Sequence, residues 1–268
     1  MHVDYEYVLA GITVLLILLA TEINMYTIMS QEMTRMEQER GYTVAEKILD
    51  MILLSPGDPE DWGNYPSDPS SFGLAAQNSL QAYVLDANKV IRLSINSSGY
   101  LSPGKVRSLL GLSRGYQFSL NIMPIFKIDI SSEGGGNFTV TVTNYKGLPA
   151  PNVNVTGYYI PQSWAPSVEY THQSKVTGFD GRCALWFNSE PDHVLVVCAN
   201  QLEVKATETD PEGLYFRVEG DSVVKSDTPL VPAINYSTGS PFGMKRESVS
   251  RYAEIEGLTY YAEFSLWS

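Results

Sequence analysis

The side chains that carry out most protein chemistry are scarce in this 268-residue chain. It contains two cysteines, Cys183 and Cys198, and three histidines, His2, His172 and His193. Two cysteines are too few for a disulfide-rich scaffold and, without help from histidine, too few for a structural zinc site. No nucleophile-elbow, zinc-protease, phosphate-loop or dinucleotide-binding motif occurs in the sequence. We therefore expect no enzyme, no cofactor and no metal site.

Acidic residues dominate the charge of the chain. Its 30 Asp and Glu outnumber its 18 Lys and Arg, which gives a net charge of −12 at pH 7. Because phosphate binding needs clustered Lys and Arg, this balance argues against a nucleic-acid partner. One acidic stretch, PGDPEDWGNYPSDPSSFG, lacks the spacing of an EF-hand loop and is interpreted as a solvated turn. Its carboxylates are Asp58, Glu60, Asp61 and Asp68.

The two cysteines lie on apolar runs that flank a turn at residues 188–192. If these runs form a hairpin that is symmetric about the turn, Phe187 faces Val194 and Cys183 faces Cys198. Opposed residues of a non-hydrogen-bonded pair are close enough for a disulfide. We therefore predict a disulfide between Cys183 and Cys198, which would place the domain in an oxidising compartment. The alternative is two free, buried thiols.

Four Asn-x-Ser/Thr triplets also favour an extracytoplasmic location, because this triplet is the N-glycosylation acceptor of secreted domains. Their excess over chance is modest, so they support the location without establishing it. The candidate asparagines are Asn96, Asn137, Asn154 and Asn235.

The N-terminal region predicts a membrane helix. Residues Tyr7 to Thr21 carry no charge, and continuing the stretch to Met29 gives it a membrane-spanning length. A cleaved signal peptide is the competing interpretation, but the run lacks a basic start and a small-residue cleavage site. The prediction is therefore a retained single-pass anchor in membrane lipid.

The helix is predicted to continue past the membrane as an amphipathic segment that ends at Ser55-Pro56-Gly57. Apolar residues recur there at steps of three and four, which is the spacing of one helix face. This stripe packs either on the protein's own folded part or on other copies of the same helix. Its members are Met29, Met33, Met36, Val44, Ile48, Met51 and Ile52.

The charges beside the helix point to the opposite orientation from the one we expect. Arg35, Arg40 and Lys47 follow the span, whereas Asp4 and Glu6 precede it, and the positive-inside rule places basic flanks in the cytoplasm. We give more weight to the β-rich domain that follows. We expect that domain on the extracytoplasmic side of the cell membrane.

Beyond the helix, which takes up residues 1–55, the chain divides into two further parts. Residues 56–122 form a mixed linker subdomain with one short helix, which begins near Pro103 and ends near Gly111. Residues 123–268 are β-rich, including the C-terminal strands.

The β-rich part predicts an antiparallel sandwich. Apolar and polar residues alternate in short runs that turn residues separate, which is typical of strands with one buried face. The last run has one apolar face formed by Leu258, Tyr260, Ala262, Phe264 and Leu266. The fold class is therefore α+β, with a long N-terminal hydrophobic and amphipathic helix, a mixed segment and an antiparallel β-sandwich.

Part of this region resembles carboxypeptidase-regulatory-like and invasin-type Ig-like sandwiches. Those domains pair a strand entry of the form G-x-P-x-x-N-x-x-V with a T-x-x-D-G turn before an apolar strand. Here GLPAPNVNVTGYY and TGFDGRCALWF carry the match, through Pro149, Val153, Val155, Thr177, Asp180 and Gly181. The resemblance covers roughly residues 126–216 and implies an Ig-like fold. Such modules serve as spacers, adhesins and binding domains.

The N-terminal third resembles archaeal type IV pilin-like and TadE-like surface proteins. The match rests on Glu6 before VLAGITVLLILLA, on ILDMILLSPGDPEDWG, on SFGLA and on YVLDANKVIRL. In pilins a glutamate near the N-terminus pairs with a neighbouring subunit's terminal amine, and the resemblance implies this role for Glu6. No basic leader with a peptidase site precedes Glu6. A membrane-anchored minor-pilin-like protein is therefore as compatible as a filament subunit.

Two functions remain open at this point. The first is a structural surface protein that associates through its helix with copies of itself or with other pilin-like subunits. The second is an anchored binding or adhesion module that recognises a glycan or a protein. Aromatic residues of the sandwich either line such a site or form the core: Tyr158, Tyr159, Trp164 and Tyr170.

Overall fold

The structure of the chain is a computed structural model. It describes residues 3–163, 169–202, 204–211, 213, 215–219, 222–226, 230–240 and 246–268. Within the first helix it describes the side chains of residues 9, 10, 12–33, 35 and 43–54. The side chains of Glu6 and Met36, and the whole of Trp164, therefore lie outside the described part.

The chain begins with one long helix, α1 (Val3–Leu54), of 52 residues, which ends where the sequence predicts. A single 3-10 turn (Trp62–Asn64) and two short helices, α2 (Ala87–Ile91) and α3 (Pro103–Leu109), follow among the described residues. The predicted short helix near Pro103 is α3. Its first turn is capped by the side chain of Ser102, and its proline lies where the backbone N–H needs no partner.

Most of the remaining described chain is antiparallel β-sheet, which confirms the α+β class. The strands are β1 (Gln117–Pro124), β2 (Phe126–Gly134), β3 (Asn137–Asn144), β4 (Asn154–Pro161), β5 (Thr171–Val176), β6 (Arg182–Trp186), β7 (His193–Gln201), β8 (Val204–Asp210), β9 (Phe216–Glu219), β10 (Ser222–Lys225), β11 (Ile234–Ser237), β12 (Arg246–Ile255) and β13 (Leu258–Trp267). They form sheets of order β11-β1-β13-β12, β2-β3-β6, β5-β4-β7-β8 and β10-β9.

The sheet β11-β1-β13-β12 packs on the end of α1, and together they form what we call the helix lobe. The predicted apolar face of β13 is buried there. The last turns of α1 and the segment 56–112 cover this face of the sheet. The helix residues buried in the lobe follow the spacing of one helix face: Ala45, Ile48, Leu49, Ile52 and Leu53.

The other strands form a second unit, which we call the strand lobe. The sheets β2-β3-β6 and β5-β4-β7-β8 share one apolar cluster. The outer side of the second sheet carries a smaller cluster, to which Phe216 of β9 and Val223 of β10 belong. The strands after residue 123 are thus divided between the two lobes, because β12 and β13 return to pair with each other and with β1.

Arg92, which directly follows α2, holds an irregular part of the helix lobe in place. Its side chain is only 4% exposed and donates hydrogen bonds to five backbone carbonyls, at distances from 2.6 to 3.2 Å. Its guanidinium group also lies over the ring of Trp62, 5.1 Å from the ring centre. The carbonyls belong to Trp62, Tyr65, Pro66, Ser67 and Gly99. One side chain therefore satisfies four backbone carbonyls outside helices and strands and adds a second donor to the Trp62 carbonyl, which also accepts from the N–H of Tyr65.

Lys89, one turn earlier on α2, also donates to backbone carbonyls of the segment that precedes α2. It is fully buried, and its ammonium group donates to the carbonyls of Pro56 and Ala75 at 3.0 and 2.8 Å. Burial lowers the pKa of Lys89, and the carboxylate of Asp86, which caps α2, opposes this shift.

A cluster of ion pairs joins α1 to the sheet. Arg251 of β12 contacts Glu46 at 2.8 Å and Asp50 at 3.1 Å. The hydroxyl of Tyr83 also donates to Asp50, at 3.3 Å. The hydrogen bond to Glu46 raises the pKa of Arg251, so this cation stays charged. Together these contacts fix the rotation of the helix end against the sheet.

Replacing Arg92 with methionine should destabilise the helix lobe. Arg92→Met keeps a long side chain but removes the donor of five carbonyls, and each buried polar group left unsatisfied costs about 1–3 kcal/mol. Water reaches some of these groups, so we expect the free energy of unfolding to fall by roughly 3 kcal/mol, measured by urea denaturation in detergent. The exposed control Arg114→Met should change it by less than about 0.5 kcal/mol. Equal effects of the two variants would contradict the role of Arg92.

Candidate functional site: apolar helix and interlobe cavity

The first part of α1 carries an apolar surface that the rest of the described chain leaves uncovered. Residues Ile12–Met33 form a stretch of 22 residues that is long and apolar enough to cross a membrane, and none of it is buried. At 1.5 Å per residue it spans about 33 Å, close to the ~30 Å hydrocarbon core of a bilayer. Among the described residues, this helix is the one that can anchor the chain in a membrane.

Hydroxyl groups inside this stretch have their hydrogen bonds within the helix. Thr13, Thr21, Thr27 and Ser30 each donate to a carbonyl three or four residues earlier, at 2.7 to 2.9 Å. They can therefore enter lipid with their donors satisfied. Glu22 differs, since it lies exposed within the stretch and forms no hydrogen bond or ion pair with any described residue.

The structure divides the predicted packing stripe of α1 into two parts. Ile48 and Ile52 are buried in the helix lobe, so this end of the stripe packs on the protein's own fold. The other described members stay exposed by 38 to 61%: Met29, Met33, Val44 and Met51. Lipid or another chain is free to contact these side chains.

The predicted hairpin of the two cysteine strands is wrong. Strand β6 pairs with β3, where Cys183 lies opposite Val140, whereas β7 pairs with β4 and β8. The connection at residues 187–192 therefore crosses from one sheet to the other. Cys183 packs against the cluster between the sheets, and Cys198 faces the outer cluster. Because a sheet separates them, both cysteines are free thiols and the predicted disulfide is absent.

All four candidate glycosylation asparagines are exposed. Asn96 lies between α2 and α3, while Asn137, Asn154 and Asn235 lie on strands with their side chains outward. A glycan at any of these positions would leave the apolar clusters intact.

The aromatic residues considered as ligand contacts belong mainly to the core of the strand lobe. Tyr158 and Tyr159 are 6% and 9% exposed, and Tyr170 packs edge-on against Tyr158 with ring centres 5.9 Å apart. Tyr159 stacks on His193 with ring centres 4.9 Å apart, and His193 lies 3.3 Å from Glu190. Within the described part of the chain, no three His, Cys, Asp or Glu side chains converge to hold a metal ion.

A cavity of about 670 Å³ lies where the two lobes meet. Phe126 and Ile128 of β2 line it from the strand lobe, and Leu258 and Tyr260 of β13 line it from the helix lobe. Its walls are mostly apolar, and its volume falls in the range of roughly 300–1,000 Å³ typical of small-molecule sites. The sequence gives no signal for this cavity, because its walls come from segments far apart in the chain.

Polar groups reach the cavity from β8. Thr209 is only 4% exposed, and its hydroxyl oxygen has no hydrogen-bond partner among the described residues. Lys205 and Glu208, both half-buried, also border the cavity from β8, so it has a cationic and an anionic residue at its edge. A mostly apolar cavity of this size suits a small apolar molecule.

Comparison of the chain with protein-family models, with curated proteins and with solved structures finds no match. A function for this chain must therefore be inferred from its own residues and geometry.

The two thiols should react slowly with iodoacetamide in the folded protein. Burial raises the pKa of both, that of Cys183 to about 11, and only the thiolate form reacts. At pH 8 we expect alkylation about tenfold or more slower than in the urea-unfolded chain, and faster alkylation of Cys183 as the pH rises from 8 to 10. Mass spectrometry of tryptic peptides measures both rates. A disulfide-linked peptide pair, or rapid alkylation at pH 8, would contradict the structure.

Proposed function

We propose that the chain is a membrane-anchored, extracytoplasmic structural protein of the pilin-like type, without catalytic activity. The observation that carries this proposal is the continuity of α1. One helix presents an uncovered apolar stretch, Ile12–Met33, and then inserts its last turns into a folded lobe. This arrangement lets lipid or neighbouring helices cover one end while the lobes stay in water.

The strand lobe supports the Ig-like part of the proposal. Residues from the two segments that resemble Ig-like domains are in contact with each other. The hydroxyl of Thr177 donates to the carbonyl of Ala150 at 2.7 Å and accepts from the N–H of Val153 at 2.9 Å. The turn that follows needs Gly181, whose φ is +74°, and Asp180 accepts from the N–H of Arg182. We propose that the lobe is an Ig-like sandwich that serves as the exposed head of the protein.

The exposed asparagines support placing the lobes outside the cytoplasm. Each of the four acceptor sites is open to a glycan-transferring enzyme, and none lies in the apolar span of α1.

The protein recovered from its native membrane should form filaments in negative-stain electron microscopy, and these should persist in mild detergent. In such filaments the apolar span is covered by identical neighbours and not by lipid. Leu16→Asp places a charge at a position that is 59% exposed in the span and should abolish the filaments. Leu16→Ala, the matched control, should keep them. Dispersed wild-type particles that need detergent to stay soluble would contradict a filament subunit and favour a single-pass anchor.

A second function, an anchored binding module, is favoured by the cavity between the lobes. Its mostly apolar walls suit a small apolar molecule. This function does not need filaments, so both proposals can be tested separately.

A neutral aromatic molecule such as 2-naphthol should bind this cavity and raise the midpoint of thermal unfolding. A ligand at 100 times its Kd stabilises the folded state by about 2.7 kcal/mol, which corresponds to a shift of a few degrees. Ala233→Trp at the cavity wall should remove most of the shift. Ala82→Trp, exposed and away from the cavity, should leave it unchanged. The same shift in both variants would contradict binding in the cavity.

A further inference from the structure

An exposed tryptophan interrupts an otherwise polar sheet face. Trp186, the last residue of β6, is 56% exposed on the outer face of the sheet β2-β3-β6, since its neighbour Leu185 is buried in the cluster on the inner face. The other outward side chains of the three strands are lysine, aspartate, arginine, asparagine, serine, threonine and alanine. A single exposed apolar side chain needs no explanation by itself, so its neighbours decide whether this ring has a role.

The ring lies directly opposite one of the four candidate glycosylation asparagines. In the pairing of β3 with β6, Asn137 and Trp186 are opposite residues, so both side chains project from the same face of the sheet. The N–H of Trp186 points away from β3 and donates to the side-chain oxygen of Gln173 at 2.9 Å. The pair is therefore of the non-hydrogen-bonded kind, in which the side chains stand closest, with Cβ atoms about 4.5–5.5 Å apart.

The other two candidates on strands lack an aromatic neighbour in the described strand pairs. Asn154 lies opposite Val176 and Asn200, and Asn235 lies opposite Asn121. These partners are aliphatic or polar, so none of them offers a flat apolar surface to a sugar. The register of the sheets thus distinguishes one site from the others, and the triplets alone do not.

We propose that Asn137 carries an N-linked glycan whose first sugar packs flat on the ring of Trp186. The proposal rests on the extracytoplasmic location proposed above, where such glycans are found. One face of a pyranose ring presents C–H groups, and its contact with the indole removes apolar area of both from water. The glycan thereby covers an apolar side chain on an edge strand, where a bare ring favours association between copies.

The amide of Asn137 can form this linkage and keep its contact in the fold. Its nitrogen donates to the carbonyl of Gly134 at 3.3 Å, and a glycosylated amide retains one hydrogen for that bond. A membrane transferase would join this nitrogen to the anomeric carbon of a sugar carried by a lipid phosphate. The bond between that carbon and the phosphate oxygen breaks, the lipid phosphate leaves with the electron pair, and the amide gives up one proton to a base of the transferase.

Glycopeptide mass spectrometry of the full-length protein from its native membrane tests whether the site is occupied. The peptide that contains Asn137 should carry sugar mass in most copies of the protein. An unmodified Asn137 would overturn the proposal, whatever the other three asparagines carry. Digestion of intact cells by an added protease checks the location separately. Lobes that are cut only after the cells are lysed would contradict the extracytoplasmic location itself.

A double-mutant cycle of thermal unfolding in detergent tests the contact with Trp186. Asn137→Gln removes the glycan and should lower the midpoint of unfolding by roughly 2–4 °C when the ring is present. In Trp186→Thr, which removes the ring but suits a strand, the same change should lower it by less than about 1 °C. Asn154→Gln, the control without an aromatic neighbour, should have the same effect in both backgrounds. Equal effects of Asn137→Gln with and without the ring would overturn the contact.

Discussion

Polar groups that leave water need partners, and the helix lobe depends on how Arg92 and Lys89 meet this requirement. Together these two cations donate to seven backbone carbonyls in a segment with little regular structure. A buried charge normally costs several kcal/mol, but a guanidinium group with all its directions occupied by carbonyls recovers most of this cost. The segment in turn forms part of the surface on which the end of α1 packs. The two cations thus complete a network that the segment's own apolar residues and backbone hydrogen bonds leave open.

The end of α1 is attached to the helix lobe by apolar packing and by ion pairs. Ile48, Leu49, Ile52 and Leu53 each gain roughly 1.5–3 kcal/mol on burial as an upper estimate, which attaches the helix firmly to the lobe. Apolar packing alone leaves the rotation of a helix poorly defined. Arg251 defines it, because its two carboxylate partners, Glu46 and Asp50, lie one turn apart on the same face of α1. The rotation of α1 about its axis, and with it the direction of each face of the apolar span, is therefore set by contacts inside the helix lobe.

Sequence patterns predict those parts of the structure that local periodicity determines. The long helix, its end before Pro56, the short helix at Pro103 and the alternating face of β13 all follow from spacing and turn residues. The predicted cysteine hairpin is wrong because the prediction pairs two strands that are adjacent in sequence, whereas β6 and β7 belong to different sheets. The segment around Arg92 shows no periodic sequence pattern, because contacts between residues distant in sequence hold it in place. The cavity between the lobes is also lined by segments distant in sequence, so no local pattern predicts it. Lys89 and Arg92 did carry a weak signal, as two cations inside the otherwise apolar run YVLDANKVIRL.

The same requirement for partners links the lobe to the membrane span. In the lobe, each buried cation finds carbonyls that a loop has left free. In the span, the backbone N–H groups already donate to carbonyls of the same helix, so a carboxylate has no backbone donor to accept from within its own chain. Threonine and serine avoid this difficulty because their short side chains reach back to a carbonyl of the preceding turn, and the four in the span do so. A glutamate has no donor to offer when it is charged, and its longer side chain points away from the helix. Glu22, which is exposed within the span, is therefore a side chain whose hydrogen-bonding needs the described part of the chain does not meet.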